Sequence, residues 1–354
     1  MHRVWTAQVE PASTTNTPSS VAVSGNRVFI HSDAGQLQAY AADGSTNCSG
    51  TPTVCNPLWT ASAGGASSLP VTTDPATDGT TVFIGGADGT LYAFDATGTT
   101  DCTGTTPRTC APLWQAAAPD EYGGIGNLPA PAVTSSFVYY PVGDALDAFD
   151  PAGQNGCSGT PVTCTPLWTG DVGAAATDGW PVVSGNVVYQ AAGANPSNVF
   201  AFDAAGLRNC AGTPTTCAPL WTDQTKSSFA VTPAIGPDGN LYAGFCELDE
   251  FSTDGTTGCS GTPVVCNPLH TALLNNGLTL APSLADDVVV LGVFNFNTAG
   301  TIEAFQQGTL SPIGTPVALG PPNVNQLPGL LAISNGKVFE STSNGDLQAW
   351  APDS

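Results

Sequence analysis

The hydrophobic residues of this chain come in short alternating runs broken by glycine-bearing turns. Residues 80–98, TTVFIGGADGTLYAFDATG, show the pattern. Val82 to Gly85 is an apolar run, Ala87-Asp88-Gly89 is a turn, and Leu91 to Asp95 alternates again. Asp-Gly and Asn-Gly turns between such runs signal hairpins. A cysteine-bounded loop follows, then a strand opening at Leu113-Trp114. A further strand precedes the run and ends at a turn, PATDGT. Each unit is therefore predicted to be a four-stranded antiparallel meander, with strands A to D.

The unit recurs. NCSGTPTVCNPLWT, from Asn47 to Thr60, is echoed by DCTGTTPRTCAPLWQ, GCSGTPVTCTPLWT, NCAGTPTTCAPLWT and GCSGTPVVCNPLHT. An aromatic residue in strand C marks the count: Tyr40, Phe94, Phe149, Phe202, Phe251, Phe305 and Trp350. Repeats of this length build arrays, and four-stranded units repeated radially leave only short, protected edges. The two ends of the chain favour a ring over a solenoid. NGDLQAWAPDS closes the chain just after a strand C, while HRVWTAQVE near its start matches APLWQAAAP, so Trp5 stands where Trp59, Trp114, Trp168 and Trp221 stand. Residues 1–10 are expected to complete the last blade. The expected fold is all-β, a single seven-bladed β-propeller over residues 1–354 with four-stranded antiparallel blades, closed by the N-terminal strand.

The segment LYAFDATG, followed by Trp114, resembles the repeat of the PQQ-like, quinoprotein-type β-propellers. In that family an Ala, an Asp, a Gly and a Trp recur in each blade, and the Trp docks on the neighbouring blade. The matching residues are Ala39, Asp43, Gly44 and Trp59, with Asp43 offset; Ala93, Asp95, Gly98 and Trp114; Ala148, Asp150, Gly153 and Trp168; and Ala201, Asp203, Gly206 and Trp221. His270 stands in the Trp position of unit five, and unit six has neither the Trp nor the cysteines. The resemblance implies architecture only. The family's quinoprotein dehydrogenases carry eight blades and a disulfide of adjacent cysteines against the quinone. No adjacent pair exists here, so PQQ is not expected as a cofactor.

Eleven cysteines sort by spacing into Cys48–Cys55, Cys102–Cys110, Cys157–Cys164, Cys210–Cys217 and Cys259–Cys266, with Cys246 left over. Zinc sites use tighter pairs with further ligands close by, so disulfides are expected, and with them an oxidising compartment, secreted or at a cell surface. Each bridge closes a short loop worth about 2.5 kcal/mol in the chain-entropy account, and is expected to act as a local staple. Cys246, beside aromatics, reads as small buried filler. His270 reads as packed and hydrogen-bonded. TTDPATDGTT, 72–81, lacks the spacing of an EF-hand loop and reads as a turn.

Glycine, at 41 residues, and proline, at 30, suit many short strands joined by turns. Six Lys and Arg against 28 Asp and Glu give a net charge of −22. That excludes nucleic acid, which needs clustered cations, and argues against anionic membranes. No apolar run is long enough for a membrane span, and the chain is expected to act as a monomer. No G-x-S-x-G elbow is present.

Charge is expected to divide between the two faces. Arg27, Lys337, Arg108, Arg208 and Arg3 fall on the face of the stapled loops; the other carries Asp120, Glu121, Asp171, Asp178, Asp223, Glu247, Asp249 and Glu250, with Lys226 as its cation. The expected ligand site on that unstapled face is Asp120, Glu121, Tyr122, Asp178, Trp180 and Lys226. Its longest internal loop, 116–129, carries the first three, and Trp180 lies outside the docking series. A glycan, a protein or a cation would fit, calcium being the hard cation suited to carboxylates. The leading expectation is a non-catalytic binding or scaffold module with no resident cofactor. The alternatives are a propeller lyase or glycoside hydrolase using paired carboxylates, and a structural subunit of a surface assembly.

Overall fold

The computed structural model describes residues 4–9, 19–32, 34–64, 73–86, 88–116, 130–173, 179–193, 198–223, 232–244, 246–274, 278–279, 281–295, 298–318, 328–334, 337–342 and 347–350. These residues form strands, turns and bends without a helix. Two compact units divide the chain: 1–171 with 210–217, and 172–209 with 218–354.

In the first unit three sheets follow one design. The first meander runs through Val21–Ser24, Arg27–His31, Gln36–Ala41 and Trp59–Ser62. The second takes Ala76–Thr77, Thr81–Gly85, Leu91–Asp95 and Trp114–Ala116, and the third Ala132–Val133, Val138–Val142, Ala145–Phe149 and Trp168–Asp171. In the second unit the same meander appears as Val182–Ser184, Val187–Ala192, Asn198–Asp203 and Trp221–Asp223, then as Ala234–Ile235, Leu241–Gly244, Glu247–Phe251 and His270–Leu273. A sheet built on Val288–Asn295 and Thr298–Gln306 follows, and last a three-stranded one of Pro328–Ser334, Lys337–Thr342 and Leu347–Trp350.

The apolar core lies between successive sheets. Phe29 and Trp59 of the first sheet pack with Val82, Ile84 and Phe94 of the second. Phe83 and Trp114 of the second pack with Val138, Tyr140 and Phe149 of the third. In the second unit, Tyr189 and Trp221 meet Leu241 and Phe251. Each sheet thus buries apolar side chains against a neighbour, which is what a two-faced stack of sheets requires.

The recurrent Ala and Trp are cross-strand partners. Trp59 lies opposite Ala39, Trp114 opposite Ala93, Trp168 opposite Ala148 and Trp221 opposite Ala201. All four alanines are fully buried. Within each unit the indoles reach forward. Trp59 Nε1 donates to Ala96 O at 3.4 Å, and Trp114 Nε1 to Pro151 O at 3.1 Å. Gly98 and Gly153, at φ +69° and +64°, lie directly under those rings, and a Cβ at either would overlap the indole. Trp5 does the same at the chain start: its Nε1 donates to Ala42 O at 3.0 Å, and Gly44 lies under the ring. The expected docking of the Trp on the next sheet holds at these positions, and Trp221 over Gly255 repeats it.

All five expected disulfides form: Cys48–Cys55, Cys102–Cys110, Cys157–Cys164, Cys210–Cys217 and Cys259–Cys266. Their role differs from a loop staple. Each bridge closes a two-stranded hairpin, and that hairpin pairs with the outer strand of the preceding sheet. Arg108–Cys110 runs parallel to Trp59–Ser62, and Thr163 lies opposite Gln115. Thr216–Cys217 pairs with Trp168–Asp171, and Val265–Cys266 with Trp221–Asp223. Val54 bridges Thr6 of the N-terminal segment in the same parallel sense. The physical reason is the free side of strand D, whose backbone groups would otherwise form an open edge. The hairpins satisfy them: Gln115 N–H donates to Val162 O at 3.0 Å, Thr169 N–H to Thr215 O at 3.0 Å and Thr222 N–H to Val264 O at 3.0 Å.

Cutting one bridge should therefore be felt in two repeats. In Cys102→Ser/Cys110→Ser, unfolding free energy is expected to fall by about 2 kcal/mol. Hydrogen exchange should quicken at Trp59–Ser62 as well as within 102–110. Quickening confined to 102–110 would restore the local role.

Candidate functional site

Most of the expected ligand site, namely Asp120, Glu121, Tyr122, Asp178 and Lys226, lies outside the described residues. Trp180 is described. It is half-buried, and its N–H donates to Thr232 Oγ1 at 2.9 Å. Gly179 before it accepts from Gln190 Nε2 at 2.7 Å. The backbone that presents Trp180 is thus fixed by side chains on both flanks.

Three carboxylates assigned to a solvated acidic face are inside the sheets. Asp223, Asp249 and Glu250 are 0, 2 and 1% exposed, whereas Asp171 is exposed. These three lie within strands whose sheets are covered on both faces, so either side of the pleat is buried. Asp223 accepts the Val199 N–H. Asp249 accepts the Thr271 hydroxyl at 2.5 Å. Glu250 accepts Asn240 Nδ2 at 2.6 Å, and His270 Nδ1 lies 3.1 Å from its other oxygen. Asp147 repeats the device, taking the Thr169 hydroxyl at 2.7 Å.

Burial raises the proton affinity of two of these acids, Asp147 and Asp223. It pushes Asp147 up to about 6, against which its Thr169 bond works. Burial lifts Asp223 well above the carboxylate range, with the Asp249 charge adding to the effect. A perturbed acid beside a second carboxylate is what acid–base chemistry uses, but a substrate cannot touch side chains this buried.

The motif aspartates behave oppositely. At Asp95 burial works against ionisation, yet the N–H groups of Thr100, Thr97 and Thr99 outweigh it and hold the carboxyl far below the usual range. Asp150 is treated alike by Asn155, Ala152 and Gln154. At Asp203, Arg208 Nε bonds the carboxylate at 2.5 Å. Each caps the connection that launches a stapled hairpin. Arg108 Nη1 donates to Gly98 O at 3.0 Å and Arg27 Nη2 to Thr97 O at 3.3 Å, so the basic residues are spent at this end of the sheets. The 72–81 segment does hold a turn, with Asp78 accepting the Thr80 and Thr81 N–H groups at 2.8 Å each.

Two further expectations are corrected. Cys246 is exposed, not filler, because it sits in the turn before Glu247–Phe251. His270 is exposed, with 43% of its side chain open, although it keeps a bonding partner. An imidazole cannot cover the area an indole covers, and the repeat that follows supplies no stapled hairpin. Among the described residues no three His, Cys, Asp or Glu side chains gather to hold a metal.

Repeated antiparallel sheets, with Trp59, Trp114 and Trp221 each laid on a glycine of the following repeat, define a PQQ-like β-propeller repeat. A family model described as outer membrane protein assembly factor BamB matches residues 2–244, and the chain belongs to that family. No curated protein matches the sequence. Among solved structures, BamB from Moraxella catarrhalis is similar at 15% identity and a TM-score of 0.62, covering 94% of this chain and 84% of that one. The computationally designed Ika8 protein is similar at 15% identity and 0.62, covering 95% and 83%. The Cps50 (Swd1) β-propeller domain of Myceliophteria thermophila is similar at 9% identity and 0.58, covering 98% and 99%. At these identities the likeness shows the β-propeller fold.

Asp147 contributes a pH dependence to stability. Asp147 rises in the fold from 3.8 to about 6, so its contribution is full below pH 4 and is lost as pH rises through 6. Stability should fall by on the order of 2–3 kcal/mol across that window from this group. Asp147→Asn should flatten the decline, read by denaturant titration from pH 4 to 7. An unchanged slope would show that Asp147 ionises freely in the fold.

Proposed function

We propose that the chain is a non-catalytic scaffold that works in an oxidising compartment, secreted or at a cell surface, and holds a partner within an assembly. The observation that carries this reading is the use of five disulfide-closed hairpins as structural strands. Such bridges persist where thiols are oxidised. Family membership supports the scaffold role, since the family's description is that of an assembly factor. Sealing Asp223 and Asp249 inside two neighbouring sheets suits architecture better than acid–base catalysis.

In this reading the repeats form one seven-bladed ring over 1–354, and residues 1–10 supply the outer strand of the last blade. The support is the pose of Trp5, which sits on the first sheet as Trp59 sits on the second. Removing residues 1–10 is expected to cost about 3 kcal/mol, the scale of a lost buried aromatic. It should also quicken exchange at Leu347–Trp350. A deletion that leaves the melting temperature unchanged would end the closed-ring reading.

The acidic loop face is the proposed ligand surface, with Asp120, Glu121, Tyr122, Asp178, Trp180 and Lys226 engaging a protein, a glycan or a cation such as calcium. Carboxylates in a concavity focus a potential that concentrates cations. A native-state ligand at a hundredfold excess over its Kd raises stability by about 2.7 kcal/mol. Melts in EDTA and then in millimolar calcium are expected to show a rise that Asp120→Asn/Glu121→Gln removes. If calcium gives no shift, the cation reading falls and the protein or glycan reading is left.

A further inference from the structure

Four outer strands carry a stapled hairpin from the next repeat, and the fifth does not. His270–Leu273 pairs with Glu247–Phe251 on one side, and among the described residues no strand pairs with its other side. The sixth repeat lacks the cysteine pair. Its connection folds back on itself, with Phe305 bridging Pro312 and Ile313 N–H donating to Ala304 O at 2.8 Å. That connection does bury Leu310 against the cluster holding Ala272 and Leu274. The apolar side of the outer strand is therefore sealed while its backbone side is left uncovered. His270 and Thr271 are exposed, and Leu273 is 81% exposed, the largest value among the exposed apolar residues.

The sister strands show what fits here. In each, the strand runs parallel to its hairpin, and a β-branched residue lies opposite the second outer-strand position: Val54 to Thr6, Thr109 to Thr60, Thr163 to Gln115, Thr216 to Thr169 and Val265 to Thr222. The second position donates its N–H to the carbonyl before that residue, as Thr222 does to Val264. It accepts from the residue after, as Thr6 O does from Cys55 N–H. In His270–Leu273 the second position is Thr271.

We propose that the outer side of His270–Leu273 is a strand-addition site for an extended segment of a partner protein. That segment runs parallel to the strand and sets a Val or Thr opposite Thr271. Main-chain bonds supply affinity in this mode, and alternate side chains supply selectivity. The partner segment is neutral or basic. A net charge of −22 with six basic residues opposes a second copy of this chain at close range. Its recognition groups are the backbone N–H and C=O groups of this strand, not the acidic loop residues.

The probe is the disulfide-closed peptide GCSGTPVVCN, which copies residues 258–267 and is uncharged in its side chains. Added at millimolar concentration to the full chain, it should slow amide exchange at Thr271 about tenfold at nine-tenths occupancy. Exchange at Asp120 and Glu121 should not change. The same peptide N-methylated at the residue matching Cys266 lacks the donor and should protect at least tenfold less. Leu273→Asp, at a site open to solvent, should weaken binding without unfolding the chain. Protection of 270–273 that the N-methylated peptide fails to give supports the site. No protection at millimolar peptide, or protection elsewhere only, overturns it. Protection that grows with protein concentration and needs no peptide assigns the edge to a second copy and overturns the partner assignment.

Discussion

An outer strand carries backbone N–H and C=O groups on its free side, and most of this structure is an answer to that constraint. An open edge recruits whatever strand is near. Here the answer comes from the following repeat, as a parallel hairpin closed by its own disulfide. The hairpin can do this only if it is launched at a fixed angle. Asp95, Asp150 and Asp203 gather the N–H groups or the guanidinium at the launch point. The docked indole fixes the same point from the other side, under glycines that leave it room. The Ala, Asp, Gly and Trp of the repeat therefore belong to a single device: the Ala makes space opposite the Trp, the Trp joins two sheets, and the Gly and Asp set the course of the chain between them.

Where the device is incomplete, the surface changes character. His270 cannot fill the indole seat, and no cysteine pair follows it, so the outer strand of that sheet meets solvent with Leu273 uncovered. The same sheet holds two buried acids, Asp249 and Glu250, in succession on one strand. Their partners, Thr271 and His270, sit on the uncovered strand. Whatever covers or strains that strand also touches the bonds that keep two carboxylates satisfied in the interior.

The repeat, the disulfide pairing, the strand order within a meander and the forward reach of the tryptophans were all legible in the sequence. They rest on local signals: turn dipeptides, cysteine spacing and a fixed offset between Trp and Gly. The destination of the stapled hairpins was not legible, because a seven-residue cysteine spacing looks the same whether its hairpin is a surface loop or a strand of another sheet. The acids of the candidate face misled for a related reason. Asp223, Asp249 and Glu250 lie in strands covered on both faces, and composition alone does not say that the two sides of those strands are both buried. Cys246 was misjudged from its aromatic neighbours, although one residue in a tight turn faces outward whatever flanks it. The loop residues Asp120 to Tyr122 had only loop length and charge behind them, and those signals carry no geometry.

Because each hairpin completes the sheet before it, the boundary of a repeat in sequence is not the boundary of a finished object in space. A copy inserted within the stapled series would bring a cover for its predecessor and receive one from its successor. The series can thus lengthen by duplication without leaving a ragged interior edge. The stapled series ends where a repeat lacks the cysteines, and among the described residues the strand before that point, His270–Leu273, carries no hairpin. A lineage that tuned the number of repeats would keep returning to that strand, since there adding a neighbour and adding a stranger are chemically the same act.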